Sequence, residues 1–307
     1  MKRRFPHRVL PGFSLTLGYT VFYLSLIVLL PFAALFIKSC GGTWSHFYEV
    51  VTDPRVVASY KLSFGLAFVA ALINGFFGVL LAWALVRYDF PGRRLADALV
   101  DLPFALPTAV AGISLTAIYA PNGVIGSLFA YDHWLGSWFA PGTSLNVWLS
   151  ATSFASYLGR DGLRISFTSL GILIALTFIG LPFVVRTVQP VIADLSLEYE
   201  EAAACLGATR WYTLRRVVLP GLLPSILAGI TMAFGRAVGE YGSVVFISGN
   251  MPYKTEITPL LIIMKLEEFD YIGAADIGLV MLAASFGIVL LANAIQHWGA
   301  RKLGRVS

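Results

Sequence analysis

Long uncharged apolar runs alternate with short polar stretches along the whole chain. Six runs are long enough to cross the hydrocarbon core of a bilayer, which takes ~20 helical residues at a rise of ~1.5 Å each. They are Leu15–Ile37, Leu62–Val86, Leu102–Ala120, Phe167–Val185, roughly Leu222–Ile247, and Ile277–Gln296. No remaining stretch is long enough for a sizeable soluble core. The pattern predicts an all-α integral membrane protein with six transmembrane helices, built as one domain over residues 1–307.

The first run follows a basic cluster formed by Lys2, Arg3, Arg4 and Arg8, as the core of a signal peptide would. The apolar core of a signal peptide is only ~7–15 residues long. The uncharged run Leu15–Ile37 is far longer. We therefore expect an uncleaved membrane anchor.

Basic residues in the loops indicate the orientation, because loops rich in Lys and Arg stay in the cytoplasm. With a cytoplasmic N-terminus, fourteen basic residues lie inside and seven lie outside. The inner set is Lys2, Arg3, Arg4, Arg8, Arg87, Arg93, Arg94, Arg186, Arg210, Arg215, Arg216, Arg301, Lys302 and Arg305. The outer set is Lys38, Arg55, Lys61, Arg160, Arg164, Lys254 and Lys265. Both termini are therefore predicted to be cytoplasmic.

The long connection 121–166 is then periplasmic, and it is rich in Trp, Phe, Gly and Ser, including Trp134, Trp138 and Trp148. Aromatic rings favour the headgroup level of a bilayer, so interfacial helices or a re-entrant hairpin both fit this composition. A structural cap and a docking surface are equal alternatives for its role.

The composition agrees with a membrane protein, since 57% of the residues are hydrophobic, 13% are charged and the mean hydropathy is +0.76. The net charge of +5 does not indicate nucleic-acid binding, because the basic residues form short clusters beside apolar runs. The two cysteines, Cys40 and Cys205, are predicted on opposite sides of the membrane, so no disulfide is expected.

Sequence signatures of catalysis and of metal binding are missing. The chain contains no phosphate-binding Gly-x4-Gly-Lys-Ser/Thr loop, no His-x3-His and no Cys-x2-Cys. We expect no catalytic residue, no metal site and no bound cofactor in this chain, so that any ATP hydrolysis takes place in another polypeptide.

The loop 190–220 predicts a short helix followed by a tight turn. Ser196 is a suitable N-cap, and three acidic residues in the first turns suit the positive end of the helix dipole. Those residues are Glu198, Glu200 and Glu201. Gly207 is suited to end the helix in a left-handed conformation, and Leu206, Trp211 and Tyr212 add apolar side chains. A rigid helix-turn-helix that projects from the membrane is the expected result.

The same loop matches the EAA signature of ABC importer permeases, EAA-x3-G-x9-I-x-LP. The matching residues are Glu201-Ala202-Ala203, Gly207 and Val217-Val218-Leu219-Pro220, with Val in place of Ile. The chain resembles this family, and the resemblance implies the type I permease fold. It also implies a coupling helix seated in a groove of an ATP-binding subunit, formed by Glu200, Glu201, Ala202, Ala203, Leu206 and Gly207. A hairpin lying on lipid headgroups is the alternative, and the negative inner leaflet disfavours it.

Three further stretches resemble the sulfate/thiosulfate importer permeases of bacterial inner membranes, and the T-type subunit above all. They are Arg8–Phe13, Asp97–Gly112 and Leu181–Pro190. The resemblance implies a multi-pass subunit that translocates sulfate or thiosulfate. It also implies four kinds of partner: a W-type permease, two copies of an ATPase that binds ATP and Mg, a periplasmic sulfate-binding protein and the lipid bilayer. The connection 121–166 is longer than is usual in that family.

Molybdate and tungstate permeases share the EAA loop, but they are shorter and usually lack the first span, so sulfate is preferred. An ion-coupled secondary transporter is a rival from another class. It predicts ionisable residues in several spans, whereas only the fifth run carries clear midplane charges. A structural membrane scaffold leaves the EAA spacing unexplained.

Those charges are Arg236 and Glu240, which are four residues apart and predicted on one helix face. In one interpretation Arg236 lies at the translocation pathway and Glu240 weakens its hold on a dianion, because conduction requires release. In the other interpretation the pair is an internal salt bridge that fastens two helices, with close packing at Gly235 and Gly239.

Two prolines in the third run, Pro103 and Pro107, are expected to kink it and free backbone groups that need a protein or watery environment. Thr108 is a candidate to line that cavity, and Pro107 and Thr108 are assigned to the pathway on this basis. A kink required only for helix packing is the alternative.

Overall fold

The computed structural model describes residues 13–133, 135–146 and 162–303, which are helical apart from turns and one isolated β-bridge between Ala130 and Gly162. In chain order the helices are α1 (Phe13–Ser39), α2 (Trp44–Thr52), α3 (Pro54–Arg87), α4 (Arg93–Val100), α5 (Leu102–Ala105), α6 (Thr108–Tyr119), α7 (Ser169–Asp194), α8 (Glu198–Cys205), α9 (Arg210–Thr213), α10 (Leu219–Val238), α11 (Val244–Ile247), α12 (Thr258–Glu267) and α13 (Tyr271–Leu303).

Five helical stretches are long and apolar enough to cross a membrane: Leu15–Ser39, Pro54–Arg87, Ser169–Asp194, Arg210–Val238 and Tyr271–Ala294. They correspond to five of the six predicted spans. The last of them begins before the predicted start at Ile277, and it therefore includes Asp276.

The remaining predicted span, Leu102–Ala120, is divided into α5 and α6 by Leu106 and Pro107. The proline ring removes a backbone N–H and blocks the preceding helical turn, so the expected kink is a complete break. The 12 residues of α6 extend over only ~18 Å, which is less than the ~30 Å of the hydrocarbon core. The count of six transmembrane helices is therefore approximate.

The prediction of one continuous span over Leu222–Ile247 is wrong. Helix α10 ends at Val238, and α11 begins at Val244 after a turn that contains Gly239 and Gly242. Glycine weakens a helix because its backbone loses the most conformational freedom on folding. A helix can therefore end at a glycine inside a long apolar run, and the hydropathy along the sequence does not show where it ends.

Helices α3, α7 and α10 pack together at the centre of the bundle. Glycines allow the close approach: a Cβ added at Gly78 would lie 2.9 Å from Cγ1 of Val184, and one added at Gly229 would lie 2.9 Å from Cα of Val184. Small residues permit such contacts between membrane helices, where packing rather than exclusion of water drives association. The core of the bundle includes Ala67, Ala71, Val185, Val188 and Ala233.

In keeping with the predicted orientation, the end of the bundle that carries α4 and α8 is called the cytoplasmic end, and the opposite end is called the outer end. Helix α1 packs along α13, and no residue of its most apolar stretch is buried within the chain. Such a surface needs lipid or another membrane helix around it. Cys40 follows α1 at the outer end and Cys205 ends α8 at the cytoplasmic end, and both are free, as expected.

The described part of the connection 121–166 forms two four-residue 3₁₀ turns, Gly126–Phe129 and Gly136–Phe139. It is attached to α6 through the Ser166 hydroxyl, which donates to the Thr116 carbonyl at 3.2 Å. Trp138 is exposed. Trp134 and Trp148 lie outside the described residues.

Candidate functional site

The predicted coupling helix is α8, an eight-residue helix at the cytoplasmic end. Its N-cap residue is Leu197, one position later than the predicted Ser196. Ser196 still caps the helix with its side chain, because its hydroxyl oxygen accepts a hydrogen bond from the Glu198 N–H at 3.2 Å. The first turn carries the three acidic residues that favour the positive end of the helix dipole.

Gly207 ends this helix in the predicted left-handed conformation, with a φ of 82°. The Gly207 N–H donates to the Ala204 carbonyl at 2.9 Å, and the Ala208 N–H donates to the Ala203 carbonyl at 3.0 Å. These two hydrogen bonds form a Schellman motif, which satisfies the last carbonyl groups of the helix. The chain therefore reverses direction within a few residues.

The return segment of this hairpin runs directly into a membrane helix. The Thr209 side chain caps α9 by accepting a hydrogen bond from the Tyr212 N–H at 3.3 Å. A π-helical turn, Leu214–Val218, then joins α9 to α10. Together these elements form one helical rod from Arg210 to Val238. The rod connects the hairpin directly to the middle of the membrane domain.

The tip of the hairpin is apolar and exposed. Leu206 is 89% exposed, Trp211 68% and Tyr212 56%. Glu201 and Ala202 are also exposed, whereas Glu200 and Ala203 are partly buried. An exposed apolar tip beside acidic residues is typical of a surface that docks onto another protein.

Arg87, at the end of α3, fastens the hairpin to the bundle. Its guanidinium donates to the Leu195 carbonyl at 3.2 Å and to Oε1 of Glu200 at 3.0 Å, and it lies 5.3 Å from the ring centre of Trp83. From the sequence alone, Arg87 was interpreted only as one of the basic residues that indicate the cytoplasmic side. The pairing was missed because the 113 residues between the partners leave no local pattern.

Arg186 of α7 forms hydrogen bonds with Asp97 in α4 and with Asp101, the residue directly after α4. Its guanidinium donates to both carboxylate oxygens of Asp101, at 2.8 and 2.6 Å, and to Oδ1 of Asp97 at 2.7 Å. Gln189 donates to the same Asp97 oxygen at 3.2 Å. The hydrogen bonds from Arg186 and Gln189 lower the pKa of the Asp97 carboxyl below its ordinary value. This network links two segments of the cytoplasmic end, and apart from the charges themselves no local sequence pattern indicates it.

The two helix breaks meet inside the bundle. A Cβ added at Gly242 would lie 2.2 Å from Oγ1 of Thr108, and one added at Gly112 would lie 2.4 Å from the Ser243 carbonyl oxygen. The turn after α10 is therefore packed directly against the start of α6, beside Pro107. Discontinuous helices at membrane depth place backbone polar groups where an apolar environment would not tolerate them, and transporters use such positions as ion and substrate sites.

Arg236 and Glu240 form the predicted ion pair, with 2.5 Å between Nη1 and Oε2. They do not share a helix face, however, because α10 ends at Val238 and Glu240 lies in the following turn. The second carboxylate oxygen of Glu240 accepts hydrogen bonds from the N–H and the hydroxyl of Ser243, both at 3.0 Å. Glu240 is buried at 3% exposure, whereas the Arg236 side chain is 36% exposed.

The carboxylate therefore anchors the turn and the guanidinium remains accessible. Arg236 pairs with Glu240 in the turn that packs against Thr108, and α8 lies just before the opposite end of the rod. From Leu219 to Arg236 this rod extends over ~26 Å. In the described ranges, no three His, Cys, Asp or Glu side chains come together as a metal site would require.

Comparisons with known proteins identify the architecture. The model of the family described as "Binding-protein-dependent transport system inner membrane component" matches residues 74–305. The chain is 46% identical over 298 residues to the sulfate transport system permease protein CysT of Escherichia coli, with 97% of each chain covered. It is also 46% identical over 286 residues to the protein of that name from Synechococcus elongatus, with 93% of this chain and 92% of the relative covered.

Solved structures share the fold at low sequence identity. A bacterial ABC transporter that imports the acidic polysaccharide alginate has a chain with a TM-score of 0.67 and 16% identity, covering 93% of this chain and 94% of that one. The MetNI methionine ABC transporter has a chain with a TM-score of 0.54 and 14% identity, covering 80% of this chain and 95% of that one.

Proposed function

The chain belongs to the family of binding-protein-dependent transport system inner membrane components, and we propose that it is the permease subunit through which an ATP-driven importer moves sulfate. The observation that carries the substrate is the 46% identity to a sulfate permease across 97% of both chains. The chain is a translocation subunit of the inner membrane and not an enzyme in its own right. Thiosulfate is a second substrate of the same size class and charge.

The hairpin of α8 and α9 is the proposed docking site for the ATPase. Its exposed apolar tip would enter a groove of that subunit, and its fixed Gly207 turn would keep the tip at one angle to the rod. Because the return segment continues into α10, a displacement of the hairpin by ATP-driven closure would move the Arg236 end of the rod. In this proposal Glu200, Glu201, Ala202, Ala203, Leu206 and Gly207 transmit the work of ATP hydrolysis, and ATP and Mg bind only to the partner.

The proposed assembly contains two copies of that ATPase, a second permease of the W type and a periplasmic sulfate-binding protein. One solved structure with the same fold is a bacterial alginate ABC transporter in complex with a periplasmic protein that carries an alginate pentasaccharide. Its matching chain has a TM-score of 0.68 and 18% identity, and the match covers 92% of this chain and 93% of that one. A binding protein must dock at the outer end, so both termini are proposed to be cytoplasmic.

The proposed pathway runs past the two helix breaks, beside Pro107 and Thr108. The accessible guanidinium of Arg236 would attract the dianion, and its ion pair with the buried Glu240 would limit how tightly the anion is held. Passage requires binding that is strong enough for entry and weak enough for release.

The test is uptake of radiolabelled sulfate by cells that lack their own T-type permease and express this chain with the other importer subunits. Uptake should be restored, should stop when the ATPase carries an inactivating substitution, and should be inhibited by thiosulfate. Uptake of molybdate without uptake of sulfate would refute the substrate. Uptake that persists with an inactive ATPase would refute the ATP-driven mechanism and favour an ion-coupled transporter.

A further inference from the structure

A buried carboxylate at the outer end of the bundle lies outside both candidate sites. Asp276 is in the second turn of α13, and its side chain is 1% exposed. Its Oδ1 accepts a hydrogen bond from the Ser39 hydroxyl at 2.5 Å. Its Oδ2 lies 3.4 Å from Nδ1 of His46, in α2. Neither Oδ2 of Asp276 nor Nδ1 of His46 has a hydrogen-bond partner in the structure.

The other charged groups near this cluster have partners of their own. On α3, Arg55 forms two hydrogen bonds with Glu256, at 2.8 and 2.6 Å. On α12, Lys265 pairs with Asp270 at 3.0 Å and lies 3.7 Å from Glu268. Asp270 also lies near enough to His46 to interact with it electrostatically, across the cavity that both residues line.

The groups on the remaining faces are likewise engaged or exposed. On α1, Lys38 lies 5.7 Å from the ring centre of Tyr271. On α3, the Tyr60 hydroxyl donates to the Ile277 carbonyl at 3.3 Å, and the Asp53 carboxylate caps the helix. On α2, Glu49 is exposed. Among the residues that the structure describes, His46 is thus the basic side chain that pairs with Asp276.

We propose that His46 and Asp276 together bind one proton taken up from the outer side. A buried carboxylate without a counter-charge is costly, because the apolar surroundings replace its hydration poorly. When Nε2 already carries its proton, a second proton on Nδ1 makes the imidazole a cation and donates toward Oδ2, so that both orphaned atoms gain a partner. The net charge of the pair is then zero. The neutral Nδ1–H tautomer would also donate to Oδ2, but it would not supply the counter-charge that the buried carboxylate lacks.

Protons have a direct route to the pair from outside. His46 is 39% exposed in its side chain and lines an open cavity of about 320 Å³ at the outer end, together with Asp53, Arg55, Lys265 and Asp270. Protons can therefore exchange with the outer solution without crossing the bundle.

The site has a structural consequence because its two groups belong to different parts of the chain. Helix α2 follows α1, whereas Asp276 is in α13, so the protonated pair holds the outer end of the α1–α2 segment against α13. The protonated imidazole faces the Asp276 carboxylate only in the docked arrangement. Docking is therefore strengthened as the outer pH falls through the range in which histidine changes charge, ~pH 5–8, and weakened as the pH rises through it.

Cys40 is a native reporter for this docking, since it follows Ser39 directly and is exposed. In a Cys205→Ala background, the assembled importer is treated with N-ethylmaleimide in EDTA at pH 5.5 and at pH 8. Modification of the Cys40 peptide of this chain is then followed by mass spectrometry. The rate of Cys40 modification in each protein is divided by the rate in His46→Gln at the same pH. This ratio removes the effect of pH on the fraction of Cys40 that is thiolate.

The expected result is that Cys40 of the otherwise unaltered chain reacts at least about threefold more slowly than in His46→Gln at pH 5.5, and at the same rate at pH 8. His133→Gln, at another outer histidine, is the matched control and should behave like the unaltered chain. Asp276→Asn keeps the size of the side chain but removes its charge, and it should match His46→Gln at both pH values.

Equal rates in the unaltered chain and His46→Gln at pH 5.5 would overturn the proposal, and so would protection that persists in Asp276→Asn. Protection that appears only without EDTA would show a bridging metal ion in place of the proton. If Asp276→Asn does not assemble, the comparison of His46→Gln with His133→Gln still decides the outcome. No transport is measured, so these results are independent of the sulfate assignment.

Discussion

The contact between the two helix breaks predicts the effect of a single methyl group at Gly112. An alanine there would place its Cβ 2.4 Å from the Ser243 carbonyl oxygen and 2.7 Å from the Ser243 Cα. Both are backbone atoms, so rotation of a side chain cannot relieve the clash. The turn after α10 must move away from α6 by about 1 Å to restore an ordinary contact of about 3.4 Å.

Overpacking of this kind costs ~1–3 kcal/mol when the structure adjusts around it. The displaced turn carries Glu240, whose carboxylate oxygen accepts two hydrogen bonds from Ser243. We therefore expect Gly112→Ala to lower the thermal stability of the assembled transporter and to reduce sulfate uptake several-fold at equal membrane expression.

The matched control is Gly65→Ala in α3, where an added Cβ meets no atom within 4 Å. Alanine is favoured over glycine inside a helix by ~0.5–1 kcal/mol, so this variant should be at least as stable as the wild type. A second arm uses Gly242→Ala, whose clash is chiefly with Oγ1 of Thr108 at 2.2 Å. The change Thr108→Ala removes that atom and should restore part of the lost stability.

Stability is measured by thermal denaturation of the purified complex, and transport by uptake of labelled sulfate. If Gly112→Ala has the stability and uptake of Gly65→Ala, the close contact between the two breaks is not important in the working protein. Failure of Thr108→Ala to improve Gly242→Ala would show that the cost at Gly242 has another cause.

Three further changes test other parts of the site. Gly207→Asp should leave assembly with the second permease intact but weaken ATPase binding or coupling, because the new side chain strains a left-handed turn and its carboxylate adds charge to the docking tip; normal sulfate-stimulated ATP hydrolysis would contradict this. Glu240→Gln leaves Arg236 unpaired at depth, at a cost of ~2.5–3.5 kcal/mol by insertion scales, so assembly or uptake should fall. The double change with Arg236→Met should assemble normally and still not transport, whereas near-normal uptake would favour the salt-bridge interpretation. Arg87→Gln removes the ion pair that fastens the hairpin, and hydrogen exchange in α8 should become faster while exchange in α7 stays unchanged.

Most of the membrane helices could be predicted because hydropathy and length respond directly to the bilayer. Helix α1 follows its predicted run to within two residues at each end, since a long apolar run without charge has no other stable environment. Helix α3 begins eight residues before its predicted run and α7 ends nine residues after its own, because hydropathy marks the apolar core and not the polar turns that extend a helix. The hairpin of α8 and α9 was also predictable, because its signals are local. Acidic residues at the start of α8 and a glycine in a left-handed turn at its end act within a single helical turn of the chain.

The interior of the site was predicted less well, because its geometry depends on contacts between distant segments. Arg236 and Glu240 are four residues apart and do pair, but the helix on which the prediction relied ends between them. Glycine is compatible both with a packed membrane helix and with its interruption, so composition does not distinguish the two. What ends α10 at Val238 is a turn packed against Thr108 and Gly112, which are more than a hundred residues away.

The sequence by itself determined that this chain crosses the membrane repeatedly, that the loop 190–220 carries a short helix ended by a glycine turn, and that the chain resembles the sulfate permeases. Those properties are carried by composition and by motifs with fixed spacing. Only the tertiary structure decided which charges are paired between distant segments of the chain. Arg186 with Asp97 and Asp101, Arg87 with Glu200, and His46 with Asp276 each join helices that lie far apart in the chain. A partly buried charge is stabilised by a partner that replaces its lost hydration, and the packing of the helices determines which partner lies within reach.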